Sequence, residues 1–145
     1  MTSGMIAVIA IVVALGTACV FGCATNRRSG VLRVSTVPSL PAHDHSDLGL
    51  SRTGPTVLHF GAVWCGPCDA VRRVVDQVCA ALPDVAHVEL DIDTNPAAAR
   101  RLSVLSLPTT FIFDAAGGQK FRSAGVPKAA DLHAALQPLL TPERI

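Results

Sequence analysis

Two patterns of apolar residues divide this chain. From Met5 to Thr25 no charged side chain interrupts the run, and a helix of that length, at about 1.5 Å per residue, covers the roughly 30 Å hydrocarbon core of a bilayer. From residue 55 onward, apolar positions come in short runs broken by polar ones. Thr56-Val57-Leu58-His59-Phe60 is apolar on both parities, which predicts a central strand covered on both faces. Val71, Val74, Val75, Val78, Cys79 and Leu82 recur at helical spacing up to Pro83-Asp84, and Val85 to Asp91 reads as a second strand. The strand-helix-strand order predicts a parallel pair with a right-handed crossover.

The pattern then changes. Pro96 to Leu102 predicts a short helix with Asn95 as its cap and Pro96 at its first position. Thr109 to Asp114 and Gln119 to Ser123 read as two strands joined by a turn at Ala115 to Gly118. Pro127 to Leu140 closes as a helix with Ala130, Leu132, Ala135, Leu136 and Leu139 on its apolar face. The expected fold class is α/β, a mixed four-stranded sheet flanked by helices and preceded by one transmembrane helix. Residues 34 to about 54 carry Pro38, Pro41, Gly49, Gly54 and Pro55 among small polar residues and read as a tether, with a helical turn over Asp47 to Leu50. The expected organisation is an anchor at 1–28, a flexible linker at 29–51 and a compact domain at 52–145.

Composition narrows the classes. The 145 residues suffice for one domain plus something short. The mean hydropathy of +0.44 is inflated by the N-terminal run, and a net charge of +1 offers no basic face for nucleic acid. A secretory signal would place Lys or Arg ahead of its apolar run, and none precedes Arg27, so a membrane span is favoured. Val20-Phe21-Gly22-Cys23 loosely resembles the cleavage box of bacterial lipoproteins, which leaves an extracytoplasmic lipoprotein as the alternative. Arg27, Arg28 and Arg33 follow the span directly, which places the soluble part on the cytoplasmic side. The His43-Asp44-His45-Ser46-Asp47 cluster reads as solvated linker rather than a metal site.

The candidate chemistry lies in VWCGPCD, residues 63 to 69, which could be half of a metal site, a buried pair of sulfurs, or a dithiol that exchanges electrons. Trp64-Cys65-Gly66-Pro67-Cys68 falls on a strand-to-helix junction. Asp93-Thr94-Asn95-Pro96, Leu107-Pro108-Thr109 and Gly125 follow it in order. Together these segments resemble the thioredoxin family over residues 52 to 140, and WCGPC in that setting is far more specific than a bare CxxC. The resemblance implies a thioredoxin-like fold, Cys65 as nucleophile, Cys68 as resolving thiol, and a cis bond at Leu107-Pro108. It also implies no cofactor beyond the redox-active disulfide, and a substrate groove at Trp64, Leu107, Pro108 and Gly125.

Physical chemistry supports those roles separately. A cysteine at the start of a helix meets unpaired N–H groups and the positive dipole end, which favour the thiolate. Cys68, three residues on, is close enough to close a small disulfide ring. Gly66 and Pro67 form the bridge between the thiols, and Pro67 stiffens it at a position where no helical hydrogen bond is lost. Trp64 offers an apolar contact to a docking polypeptide.

Three positions depart from the family pattern. His59 stands where thioredoxins usually carry a buried aspartate, and Glu89 where they usually carry a lysine. His59 is therefore expected to accept the proton of Cys68, oriented by Glu89; the competing reading is a hydrogen-bonded core histidine with Glu89 exposed. Asp69 replaces the usual basic residue, and its charge should raise a nearby thiolate's pKa. Gly61 replaces a second tryptophan. These changes bear on whether a standard thioredoxin reductase would recognise the surface.

Cys79 reads as a packed core thiol too far from Cys68 for a disulfide, Cys19 and Cys23 as one face of the span open to acylation or helix packing, and His87 and His133 as surface residues. Zinc would need two further ligands near Cys65 and Cys68 that the spacing does not supply. A noncatalytic binding module is the other competitor, and the retained thiols argue against it. The expected function is thiol–disulfide exchange, most simply the reduction of protein disulfides. A thioredoxin reductase or a membrane thiol relay would supply electrons.

Overall fold

The computed structural model describes residues 3–26, 29–35 and 46–140. Its elements are α1 (Ser3–Asn26), β1 (Arg33–Val34), β2 (Thr56–Gly61), α2 (Cys68–Ala81), β3 (Ala86–Asp91), α3 (Pro96–Arg101), β4 (Thr109–Phe113), β5 (Gln119–Ala124) and α4 (Ala129–Leu140). The strands form one sheet in the order β1-β5-β4-β2-β3. β2 runs parallel to β3, pairing His59 with Glu89, and antiparallel to β4, pairing His59 with Thr110. The expected parallel pair and hairpin are both present.

The sheet has five strands among the described residues rather than four. The additional strand, β1, pairs antiparallel with β5 through Arg33 opposite Arg122 and Val34 opposite Phe121. Two residues carry no alternation that a sequence could display, so only the free edge of β5 reveals this pairing. The segment is fastened at both ends, by Gly30 N–H donating to Ala124 O and by Ser35 N–H donating to Lys120 O at 2.8 Å. Gly30 has φ +82°, and any side chain there would collide with the carbonyl of Val126, so glycine is required where the chain enters the sheet.

β2 is buried at every residue, which is why its sequence is apolar on both parities. On one face Val57 and Ile112 pack against Val71 and Val75 of α2 and Leu132 and Leu136 of α4. On the other, Leu58, Phe60, Phe111 and Phe113 pack beneath Ala98, Ala99 and Leu102, together with Leu48 and Leu50. These last two leucines lie in the stretch whose composition suggests a tether, yet they are only 1% and 8% exposed. Each such burial stabilises the fold by about 1.5–3 kcal/mol. The backbone around them turns, with Gly49 N–H donating to Ser46 O at 3.2 Å. His43, Asp44 and His45 lie outside the described residues.

Asn95 precedes α3 as expected but makes no side-chain cap; its amide donates instead to Asp91 O at 3.0 Å. α1 is long and apolar enough to cross a membrane, and none of its apolar window is buried against the protein. Such a helix fits either a membrane anchor or a signal sequence.

Candidate active site

Cys65 and Cys68 are joined in a disulfide with Cα atoms 5.5 Å apart. The sulfurs stand at the carboxyl end of β2, where the chain turns into α2. Cys65 N–H donates to Ala62 O at 3.0 Å and Cys68 N–H to Cys65 O at 3.1 Å, so the active-site loop is two successive tight turns. α2 begins at Cys68 with Pro67 as its N-cap. Cys65 therefore sits in the turn before the helix, which corrects the expectation that it opens the helix itself. Cys65 is 9% exposed and Cys68 2%, so an approaching molecule meets Cys65 first.

The peptide bond between Leu107 and Pro108 is cis, and the loop it forms is tied down by Thr109 Oγ1 donating to Ser106 O at 2.7 Å. Gly125 N–H donates to Pro108 O at 2.8 Å, and Gly125 adopts φ +91°. A side chain on Gly125 would press on Ser29 and Gly30. Gly66 is exposed on the loop, and a Cβ there would meet no atom within 4 Å. Its lack of a side chain is not required by packing.

A groove of about 620 Å³ runs beside the disulfide, lined by Gly61, Trp64, Cys65, Asp69, Arg72 and Glu89 among others. Trp64 is 67% exposed and is held by its indole N–H, which donates to Asp93 Oδ2 at 3.0 Å. Gly61 leaves a specific space open. A Cβ built on it would lie 3.5 Å from Cys68 Sγ and 3.5 Å from Glu89 Oε1, so the carboxylate and the less exposed sulfur border the same gap.

Behind this gap lies His59, with no exposure. Burial drives its pKa down to about 4, with the His87 and Arg72 charges acting in the same direction and Glu89 opposing them. The ring is therefore neutral at neutral pH. His59 Nε2 lies 3.5 Å from Glu89 Oε1 without forming a hydrogen bond. With the imidazole uncharged, this approach is a contact and not an ion pair. The hydrogen bond that fixes the ring is on its other nitrogen, Nδ1, 3.1 Å from His87 Nε2.

Glu89 is instead claimed by Arg72, which donates through Nε to Oε2 at 2.8 Å and through a terminal nitrogen to Oε1. The Arg72 hydrogen bonds hold the Glu89 carboxyl below its usual range, against the opposing effect of burial. Arg72 also reaches Asp69 Oδ1 at 2.9 Å. The negative charge that Asp69 brings next to Cys68 is thus locally paired, which offsets the effect expected from the sequence.

His87 is not the surface residue its polarity suggested. Its side chain is 19% exposed and its Nδ1 lies 3.1 Å from Asp76 Oδ1 of α2. The signal was present in the alternation of Val85, His87 and Glu89, which puts both polar residues on the same side of the chain as a core valine. Arg72 and Asp76 were missed because each acts through a partner on β3, 17 and 11 residues along the chain; Asp93 belongs to a segment the sequence singled out, but its bond to Trp64 was not legible there. His133 is partly exposed, beside Gln137. Cys79 is partly buried against the α2 side of the core, and burial pushes its thiol up. Cys19 and Cys23 are exposed free thiols on α1.

A CxxC disulfide at a strand-to-helix turn and a cis-proline loop leading into β4 define the class as an α/β domain with a redox-active cysteine pair. Comparison with known proteins gives the family. The sequence model of the thioredoxin family matches residues 39–138, and the chain belongs to that family. It is 40% identical over 67 residues to the thioredoxin of Mycolicibacterium smegmatis, covering 44% of this chain and 60% of that protein. It is 41% identical over 71 residues to the bifunctional thioredoxin reductase/thioredoxin of Mycobacterium leprae, covering 48% of this chain and 15% of that protein. Among solved structures, a mutant thioredoxin from Halobacterium salinarum superimposes with a TM-score of 0.60 at 26% identity, covering 73% of this chain and 91% of that one. The chain thus spans 60% of the length of its Mycolicibacterium smegmatis relative.

Proposed function

We propose that this protein is a thiol–disulfide oxidoreductase that reduces protein disulfides through Cys65 and Cys68. The observation that carries the reading is the Cys65–Cys68 disulfide at the groove's edge, with Cys65 the more exposed partner. In the reduced form the Cys65 thiolate attacks a substrate disulfide. One substrate sulfur leaves as a thiol, and the other remains bonded to Cys65 as a mixed disulfide. Cys68 then attacks Cys65 Sγ, releases the second substrate sulfur and closes the disulfide. Two electrons pass to the substrate. Trp64, Leu107, Pro108 and Gly125 form the docking rim, and Val63 and Leu105, 96% and 92% exposed, extend its apolar character.

His59 serves as proton acceptor for Cys68. Its neutral ring, the gap over Gly61 and the neighbouring Glu89 support this role. A reductase of the kind fused to the Mycobacterium leprae relative, or a membrane thiol relay, returns electrons to the disulfide. α1 tethers the domain to a membrane with residues 29–145 on the cytoplasmic side, following the Arg27, Arg28 and Arg33 flank.

Insulin reduction by the full chain tests the activity. Turnover that vanishes in Cys65→Ser, together with covalent capture of substrate by Cys68→Ser, is the expected result. Inactivity with both thiols free would instead favour a binding module. A reporter fused after Ile145 reads the side of the membrane.

A further inference from the structure

The buried histidine at the site does not stand alone. His59 Nδ1 is 3.1 Å from His87 Nε2, His87 Nδ1 is 3.1 Å from Asp76 Oδ1, and Asp76 is 60% exposed on α2. The two rings lie nearly parallel, 24° apart, with centroids separated by 5.1 Å. A continuous line of hydrogen-bonding atoms therefore connects a residue with no exposure to solvent.

The direction of that line follows from what each group can do. In its carboxylate form Asp76 only accepts, so His87 Nδ1 carries the proton and His87 Nε2 is left as an acceptor. His59 must then donate from Nδ1, which leaves its Nε2 bare. That nitrogen faces Glu89 Oε1, the oxygen that shares the gap over Gly61 with Cys68 Sγ. Nε2 is a buried polar atom without a hydrogen-bond partner among the described residues, as expected of a base that awaits a proton rather than one that serves packing.

We propose that Asp76 and His87 form a proton relay with His59, fixing it in the tautomer that is basic toward Cys68 and carrying the Cys68 proton out to solvent at α2. The inference rests on the proposed exchange activity and deepens it. During resolution a bond forms between Cys68 Sγ and Cys65 Sγ while the bond from Cys65 Sγ to the substrate sulfur breaks. The substrate sulfur departs as a thiolate with the electron pair. The Cys68 proton passes by way of Glu89 Oε1 or a water over Gly61 to His59 Nε2. His59 then gives its Nδ1 proton to His87 Nε2, and His87 gives its own to Asp76 and water. His59 cannot store the proton, because burial makes it a weak base, and this is why an onward path matters. The titratable and charged groups around the two rings are Glu89 and His87 from β3 and Arg72 and Asp76 from α2, while β4 supplies the Thr110 hydroxyl. Asp76 and His87 are positioning residues, since neither touches substrate.

The test uses the full chain carrying Cys19→Ser, Cys23→Ser and Cys79→Ala, which removes the other free thiols, in detergent, reduced and mixed with dithiobis(nitrobenzoate), which releases one coloured thiolate when Cys65 attacks and a second when Cys68 resolves. His87→Phe and the surface variant Asp76→Asn are expected to leave the first release unchanged and to slow the second by about tenfold or more. The slowed step should rise with pH where the unaltered protein is flat, as hydroxide takes over from the relay. Equal second-step rates and pH profiles in both variants and the unaltered protein overturn the relay. So does an equal loss of both steps, which marks a structural effect. Failure of the underlying activity looks different: the unaltered protein itself would then show no second release.

Discussion

Trp64 and Asp93, 29 residues apart, are joined by a hydrogen bond of 3.0 Å from the indole nitrogen to the carboxylate. The contact couples the dithiol loop to the loop that opens α3, and it explains why a Trp-Cys motif and an Asp-Thr-Asn-Pro motif belong to one site. Asp93→Ala releases the indole from this anchor while removing little buried surface. Stability should change by no more than about 1 kcal/mol, whereas the emission of Trp64, the sole tryptophan, should shift and substrate turnover should fall severalfold. Thermal unfolding, fluorescence and insulin reduction on the same variant check the three statements.

Acid should weaken the fold through His59. In the unfolded chain this imidazole takes a proton near its ordinary pKa of 6.5, while in the folded protein burial delays protonation to about 4. The unfolded state therefore binds more protons between those values. Stability present above pH 6.5 is lost progressively down to about pH 4, with little further loss from this group below it. At about 1.4 kcal/mol per pH unit the loss is of order 3 kcal/mol. Urea midpoints measured across this range should fall steeply for the unaltered protein and less steeply for His59→Asn. Parallel slopes would exclude His59 as the source.

Two glycines should respond oppositely to alanine. At Gly61 a Cβ would make ordinary contacts at 3.5 Å, so Gly61→Ala should unfold at nearly the same urea concentration. At Gly30 the backbone is left-handed at φ +82° and the Val126 carbonyl occupies the side-chain position. Gly30→Ala should cost on the order of 1–3 kcal/mol, read by the same urea titration.

Arg72→Gln tests the electrostatics of the groove. The pairs it makes with Glu89 and Asp69 are partly exposed, and such pairs contribute only about 0–1 kcal/mol to stability. Its effect should instead appear in titration. Glu89, which the arginine's hydrogen bonds hold low, should titrate closer to its ordinary value, raising the pH at which activity falls off on the acid side. An unchanged pH–rate profile would separate Glu89 from the exchange step.

Most of the fold could be read from residue patterns because those patterns report burial directly. The doubly apolar Thr56–Phe60 run became the central strand, and the valines of α2 became its core face. The dithiol was legible because its residues are contiguous. What escaped detection depends on pairings between distant segments. A strand of two residues has no periodicity, and its existence rests on the unfilled edge of β5. Leu48 and Leu50 sat among turn-forming residues whose composition outweighed two leucines. His87 looked like surface because a single histidine says nothing about its neighbours; only the register that brings β2 and β3 together shows it beside His59.

The two-residue strand at Arg33–Val34 also acts as a selvedge on the sheet. A shortened protein beginning at residue 52 would forfeit it along with the plug made by Leu48 and Leu50. That would bare the outward row of N–H and C=O groups along Gln119–Ala124 as a template for a second copy. Such a fragment should self-associate as its concentration rises, whereas one beginning at Ser29 should sediment as a monomer.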